Sequence, residues 1–120
     1  MANQIERLYG ARGLHGLSLC PGAIISGAQR HDDPERMKKS LPLIKHFLKS
    51  PAQGAATTVW AAVGKVWEGK GGKFLENCSE SKPREGPGSV IDPGYAPHAF
   101  DEEAEKRLWQ MSCEMDGEGL

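Results

Sequence analysis

Residues 13–26 read GLHGLSLCPGAIIS, a short apolar run that ends abruptly at Pro21-Gly22. Leu14, Leu17 and Leu19 lie among His15, Gly16 and Ser18 in imperfect alternation, the pattern of a strand covered on both faces within a parallel sheet. A strand is expected over residues 14–20. Proline at a strand end cannot continue the ladder, and Ile24 and Ile25 give an apolar exit from the turn.

Working outward, residues 1–9 read as the back half of a helix, with Ile5, Leu8 and Tyr9 at helical spacing and Gly10 as its stop. It lacks a capping residue and has barely two turns, so it needs packing to persist. Residues 27–39 are polar, and Asp33-Pro34-Glu35 resembles a helix start. A separate helix is expected over residues 41–49, with Pro42 in its first turn and Leu41, Ile44, Phe47 and Leu48 on one face. Ser50-Pro51-Ala52-Gln53 is the strongest local signal: an N-cap, a proline at the first helical position and the glutamine of a capping box. That helix is expected to reach Val63 and stop at Gly64, and its small residues suit close packing on a sheet. A second strand is expected at residues 73–76 and a loop over 79–97. A final helix is expected over 101–115, capped by Asp101, with fraying from 116 to 120.

Chain length allows one small domain: 120 residues with 38% hydrophobic content give a thin core. The formal net charge of -1 shows no one-sided basic excess, which argues against a nucleic-acid partner. Cys20, Cys78 and Cys113 are odd in number and widely spaced, and no CxxC pair is present. Free thiols in a reducing compartment are the preferred reading, so a cytoplasmic protein is expected. No apolar run is long enough to span a bilayer, and residues 1–10 do not resemble a signal peptide.

The order of elements implies an α/β fold in which two parallel strands are joined through helices. Two strands are too few for a stable parallel sheet, so an exposed sheet edge available for association is expected.

Several constellations carry less. Residues 64–71, GKVWEGKG, nearly match a phosphate loop, but Gly71 stands where Ser or Thr should hold magnesium, and a helix precedes the run; a turn into a strand is the better reading. His15, His31, His46 and His98 never pair at ligand spacing, so no metal site is expected; His15 reads as a strand histidine, and His31 and His46 as lining a lid. The acids of residues 101–105 read as a solvated helix start.

Taken together, the strand through Pro21-Gly22 to Ser26, the capped Ala-rich helix, the Gly-Lys-Gly-Gly-Lys-Phe-Leu run and the tail from Tyr95-Ala96-Pro97 to Trp109 resemble the C-terminal part of a short-chain dehydrogenase/reductase. The similarity is to the fungal branch near retinol dehydrogenases and the WW-domain oxidoreductase. The resemblance implies part of a doubly wound Rossmann-type fold that binds NAD or NADP and acts on a small alcohol or carbonyl substrate. It implies a cofactor site at Pro21, Gly22, Ala23, Ile24 and Ser26. The backbone at Ala23 and Ile24 would face the nicotinamide amide, and Ser26 would bond the carboxamide or pyrophosphate. Residues 27–49 would form a substrate lid.

The family's glycine-rich turn and its Tyr-x-x-x-Lys pair are absent: Tyr9 is followed four residues on by Gly13, and Tyr95 by Ala99. The resemblance therefore implies the last third of such an enzyme, beginning inside a helix, with no catalytic residue of its own and no tight cofactor binding. The alternative is a small non-catalytic interaction module that pairs with a full-length relative.

Overall fold

A computed structural model describes residues 1–86, 88 and 92–117 of the chain. The elements in order are α1 (Ala2–Tyr9), β1 (Leu17–Cys20), α2 (Pro34–Ile44), α3 (Pro51–Val63), β2 (Lys73–Glu76), β3 (Ser79–Glu80) and α4 (Glu102–Asp116), with short 3-10 turns between them. The fold is mixed α/β. β1 pairs in parallel with β2, matching Leu17 to Lys73 and Cys20 to Glu76. β2 pairs antiparallel with β3, giving the sheet order β1-β2-β3.

β1 begins at Leu17 instead of residue 14, and its first three residues are only half-buried, with Cys20 exposed. Residues 14–16 are drawn off the strand line because Glu6 accepts the Gly16 N–H at 3.2 Å and holds His15 Nδ1 at 3.1 Å. His15 therefore precedes the strand. The third strand replaces the start of the expected 79–97 loop. Asn77 and Cys78 form a two-residue hairpin turn with φ of 50° and 54°, the left-handed pair that matches the twist of the flanking strands. Cysteine is disfavoured there, but the Cys78 N–H donates to Thr57 Oγ1 at 3.1 Å.

Helix ends also differ from expectation. Gly10 is helical, and the chain turns at Gly13, whose φ is 85°. The two helices expected around residues 34 and 41 are one: Asp33 accepts the Glu35 N–H at 3.1 Å, Pro34 sits in the first turn, and the helix runs through Pro42 to Ile44. Pro42 cannot supply the N–H that would bond the Lys38 carbonyl one turn earlier, and the helix continues only two residues beyond it. α4 runs one residue beyond the expected end, to Asp116, and turns at Gly117; residues 118–120, the rest of the expected fraying segment, lie outside the described residues.

The capping box of α3 is as read: Ser50 Oγ accepts the Gln53 N–H at 3.2 Å and Gln53 Oε1 accepts the Ser50 N–H at 2.8 Å. Gly54 and Thr57, one turn apart, are the buried residues of α3. Leu75 of β2 is the one fully buried apolar side chain among the described residues. α4 packs on α1 through Tyr9 and Trp109, whose ring centroids lie 6.1 Å apart. Glu105, expected in solvent, is buried there; it pairs with Arg7 and accepts from Asn3 Nδ2 at 2.6 Å. At the exposed start of α4 the Lys106 ammonium holds the Glu102 carboxyl below its usual range. That pair supports α4 at neutral pH and is lost as acid protonates Glu102.

A Cβ on Gly54 would run into the Ile24 side chain. Gly54→Ala is therefore expected to lose about 1–3 kcal/mol through overpacking, although alanine is the better helix former. A higher urea midpoint for this variant would show that Ile24 yields without cost.

Candidate functional site

A cleft of about 600 Å³ opens at the carboxyl ends of β1 and β2, lined by Cys20, Gly22, Ala23, Ile44, Phe47, Lys49, Glu76, Asn77, Asp92 and Pro93. Ligands of open α/β sheets bind beyond the carboxyl ends of parallel strands, where loops diverge. The parallel register creates this place: it sets the last residue of β1, Cys20, beside the last residue of β2, Glu76. The turns that follow each strand, at Pro21-Gly22 and Asn77-Cys78, then face one another.

Gly22 has φ of 88°, and a Cβ there would lie 2.8 Å from Lys49 Nζ. The positive φ calls for glycine at this point, whereas the end of the flexible lysine could shift. The Lys49 ammonium donates to Asn77 Oδ1 at 2.5 Å and to the Pro21 carbonyl at 3.4 Å. Its backbone N–H donates to the Ala23 carbonyl at 2.9 Å. One residue thus ties the end of segment 27–49 to both strand ends. Ile44 and Phe47 add an apolar wall from that segment. The Glu76 carboxylate accepts from Ser81 Oγ and from the Gly94 N–H, each at 2.7 Å, and so anchors the returning chain beside the cleft.

Of the residues singled out from the sequence, Gly22 and Ala23 line the cleft; Pro21 does not, and its carbonyl accepts from Lys49, which does. Ile24 turns away and packs on Gly54 of α3. Ser26 caps the next 3-10 turn, accepting the Ala28 N–H at 3.2 Å while its own N–H donates to Gln29 Oε1 at 2.7 Å. His31 and His46 do not line the cleft. His31 Nε2 accepts from Arg30 Nε at 2.9 Å. Among the described residues no three His, Cys, Asp or Glu side chains gather as a metal site, and no helix is long and apolar enough to cross a membrane. Cys20, Cys78 and Cys113 are free thiols.

Lys49 and Asn77 were not legible as site residues. Asn77 carried a weak signal, an asparagine opening a two-residue connection between strand-like runs, but the glycine that normally follows it is Cys78. Lys49 carried none, since its side-chain partners lie 28 residues away on either side.

Over 117 residues the chain is 54% identical to "Short-chain dehydrogenase/reductase prx1" of Penicillium roqueforti, a match covering 96% of this chain and 34% of that protein. It is 40% identical over 124 residues to "Oxidoreductase calI" of Penicillium decumbens, covering 98% and 36% respectively. It is 30% identical over 111 residues to the human "WW domain-containing oxidoreductase", covering 92% and 24%. The chain thus spans about a third of the length of the curated relatives it matches first. No family model and no solved structure matches it.

Lys49→Met removes the ammonium but keeps the stem and the backbone link to Ala23. Losing a charge-assisted hydrogen bond is expected to speed limited proteolysis within residues 27–49 by about fivefold or more. An unchanged cleavage rate would assign the anchoring to the backbone link alone.

Proposed function

Because the chain corresponds to the C-terminal part of a short-chain dehydrogenase/reductase, we propose that it supplies the nicotinamide side of an NAD or NADP site and the substrate lid of an oxidoreductase. The whole enzyme would pass hydride between the cofactor and an alcohol or carbonyl. The observation that carries this reading is the left-handed Gly22 turn, set over the cleft at the carboxyl ends of a parallel strand pair. Glycine there would let a flat ring approach the backbone once the Lys49 side chain, which lines the same cleft and bonds the Pro21 carbonyl, moves aside. Ile44 and Phe47 would give residues 27–49, as the lid, an apolar surface for the substrate. Ser26 would serve the cofactor by turning its hydroxyl hydrogen away from Gln29 Oε1, to which it donates at 3.4 Å, since its oxygen already accepts the Ala28 N–H. Ile24 would act as the wedge that fixes the turn on α3. Alone, the chain lacks the Tyr-x-x-x-Lys pair and glycine-rich turn, so it would not catalyse and would bind the cofactor weakly. Its three free thiols support a reducing, cytoplasmic setting.

A second reading, a non-catalytic module that pairs with a full-length relative, is favoured by one observation. Among the described residues β1 is an edge strand, with a parallel partner on one side only.

The test is a chimera of the Penicillium roqueforti relative in which this chain replaces the matching segment. It is expected to retain NAD(P)-dependent alcohol oxidation or carbonyl reduction. Gly22→Val in that chimera would lose about 100-fold in kcat/KM, because the turn must shift at the reacting centre. A folded but inactive chimera, or an unaffected Gly22→Val, would sink the proposal. Turnover by the unfused chain would overturn its assignment as inactive alone.

A further inference from the structure

We infer that Lys49 is an autoinhibitory latch on the cleft. Its side chain lies along the face of Gly22 that a planar ring would use, and a ring can take that face only by displacing the lysine. The inference rests on the cofactor reading above and concerns how that site is regulated.

The contact involves the whole end of the lysine. A Cβ on Gly22 would meet Lys49 Nζ at 2.8 Å, Cε at 3.0 Å and Cδ at 3.1 Å. Three successive atoms thus crowd the side of Gly22 on which any other residue carries its side chain. The ammonium is tied at both strand ends, to the Pro21 carbonyl at 3.4 Å and to Asn77 Oδ1 at 2.5 Å. Lys49 lines the same cleft as Gly22 and Ala23. It therefore stands in the ring's place and is held there.

The same geometry makes the latch reversible. Both oxygens that hold the ammonium belong to neutral groups, and among the described residues no carboxylate pairs with it. Glu76 Oε1, in the same cleft, accepts instead from Ser81 Oγ and the Gly94 N–H. An ammonium on a flexible stem is strongly hydrated, so water offsets much of what it gives up on leaving. The backbone need not follow: the Lys49 N–H stays on the Ala23 carbonyl at 2.9 Å, within a parallel bridge to Ile24. Rotation of the side chain alone clears Gly22. A latch open about a tenth of the time would hold the apparent affinity about tenfold below that of the open cleft. Asn77 sets its strength. With φ of 50°, that position accepts aspartate nearly as readily as asparagine. Asn77→Asp would turn the hydrogen bond into a charge-assisted pair. Lys49→Ala removes the latch and keeps the backbone link.

The experiment titrates NADPH and NADH, by fluorescence, into the chimera of the Penicillium roqueforti relative that carries this chain, and follows limited proteolysis of residues 27–49 in the intact 120-residue chain. Lys49→Ala is expected to bind the cofactor about tenfold more tightly while its 27–49 segment is cut faster. Asn77→Asp is expected to bind about fivefold more weakly while the segment is cut more slowly. Tighter binding by a looser protein marks a competing contact, since a purely structural lysine would lose both together. Equal binding by Lys49→Ala overturns the latch, and weaker binding overturns it by making the ammonium a contact to the cofactor's own anionic groups. Should Lys49→Ala fail to fold, unchanged or tighter binding by Asn77→Asp overturns the latch instead. A loss that persists when both changes are combined overturns it as well, by showing direct repulsion of the cofactor. In each of these cases saturable binding keeps the cofactor site. No saturable signal from any variant sinks the cofactor site and the latch with it, whereas a signal that appears only with Lys49→Ala supports both.

Discussion

Four residue pairs between β1 and β2 hold the rest of the molecule in place. The parallel register brings Cys20 level with Glu76, and every feature of the cleft follows from that alignment. It sets the Pro21-Gly22 turn against the Asn77-Cys78 turn, within reach of one lysine. A slip of one residue would exchange the faces of β1 and move the turn away from Asn77. α3 guards the register from the other direction. It accepts the Ile24 side chain at Gly54 and the Cys78 amide at Thr57, so it touches the chain just beyond both strands.

The hydrophobic effect alone does not secure this arrangement. Leu75 is the single fully buried apolar side chain among the described residues, and many large apolar groups stay exposed. Polar groups in defined positions carry an unusual share of the specificity. Glu6, Glu76 and Glu105 each accept two or more hydrogen bonds from distant segments: Glu6 fixes the approach to β1, Glu76 the returning tail, and Glu105 the seat of α4 on α1. Each such bond adds only about 1–3 kcal/mol net to a charged acceptor, but each selects one geometry. Carboxylates do here what a larger core does in a complete sheet.

Legibility in the sequence followed the range of the interactions. Ser50-Pro51-Ala52-Gln53 was readable because both partners of the capping box lie within three residues. The parallel strand pair was readable from pattern and order, and Asp101 from its place before an acidic first turn. The merger of two helices across Pro42 was not readable, since Pro42 suits a first turn as well as it survives a last one. The shortened β1 depended on Glu6, which acts on residues nine and ten positions away, and the buried Glu105 depended on Asn3 and Arg7 near the other end of the chain. Of the candidate site, the Gly22 turn was legible from Pro-Gly after an apolar run. Its support by Lys49 and Asn77 was not, because no local rule links residues that meet only after the sheet has formed.

The distance along the chain between paired strands also governs when the protein can take shape. Glu76 follows Cys20 by 56 residues. On a ribosome adding about 5–20 residues per second, β1 waits roughly 3–11 s for its partner after it has been made. The cap of α3 is complete once Gln53 has been added, but a helix of 13 residues stays marginal until it packs. The growing chain thus carries an unpaired apolar strand for seconds. That interval is a window for chaperone engagement, and it closes only when Lys73–Glu76 arrives.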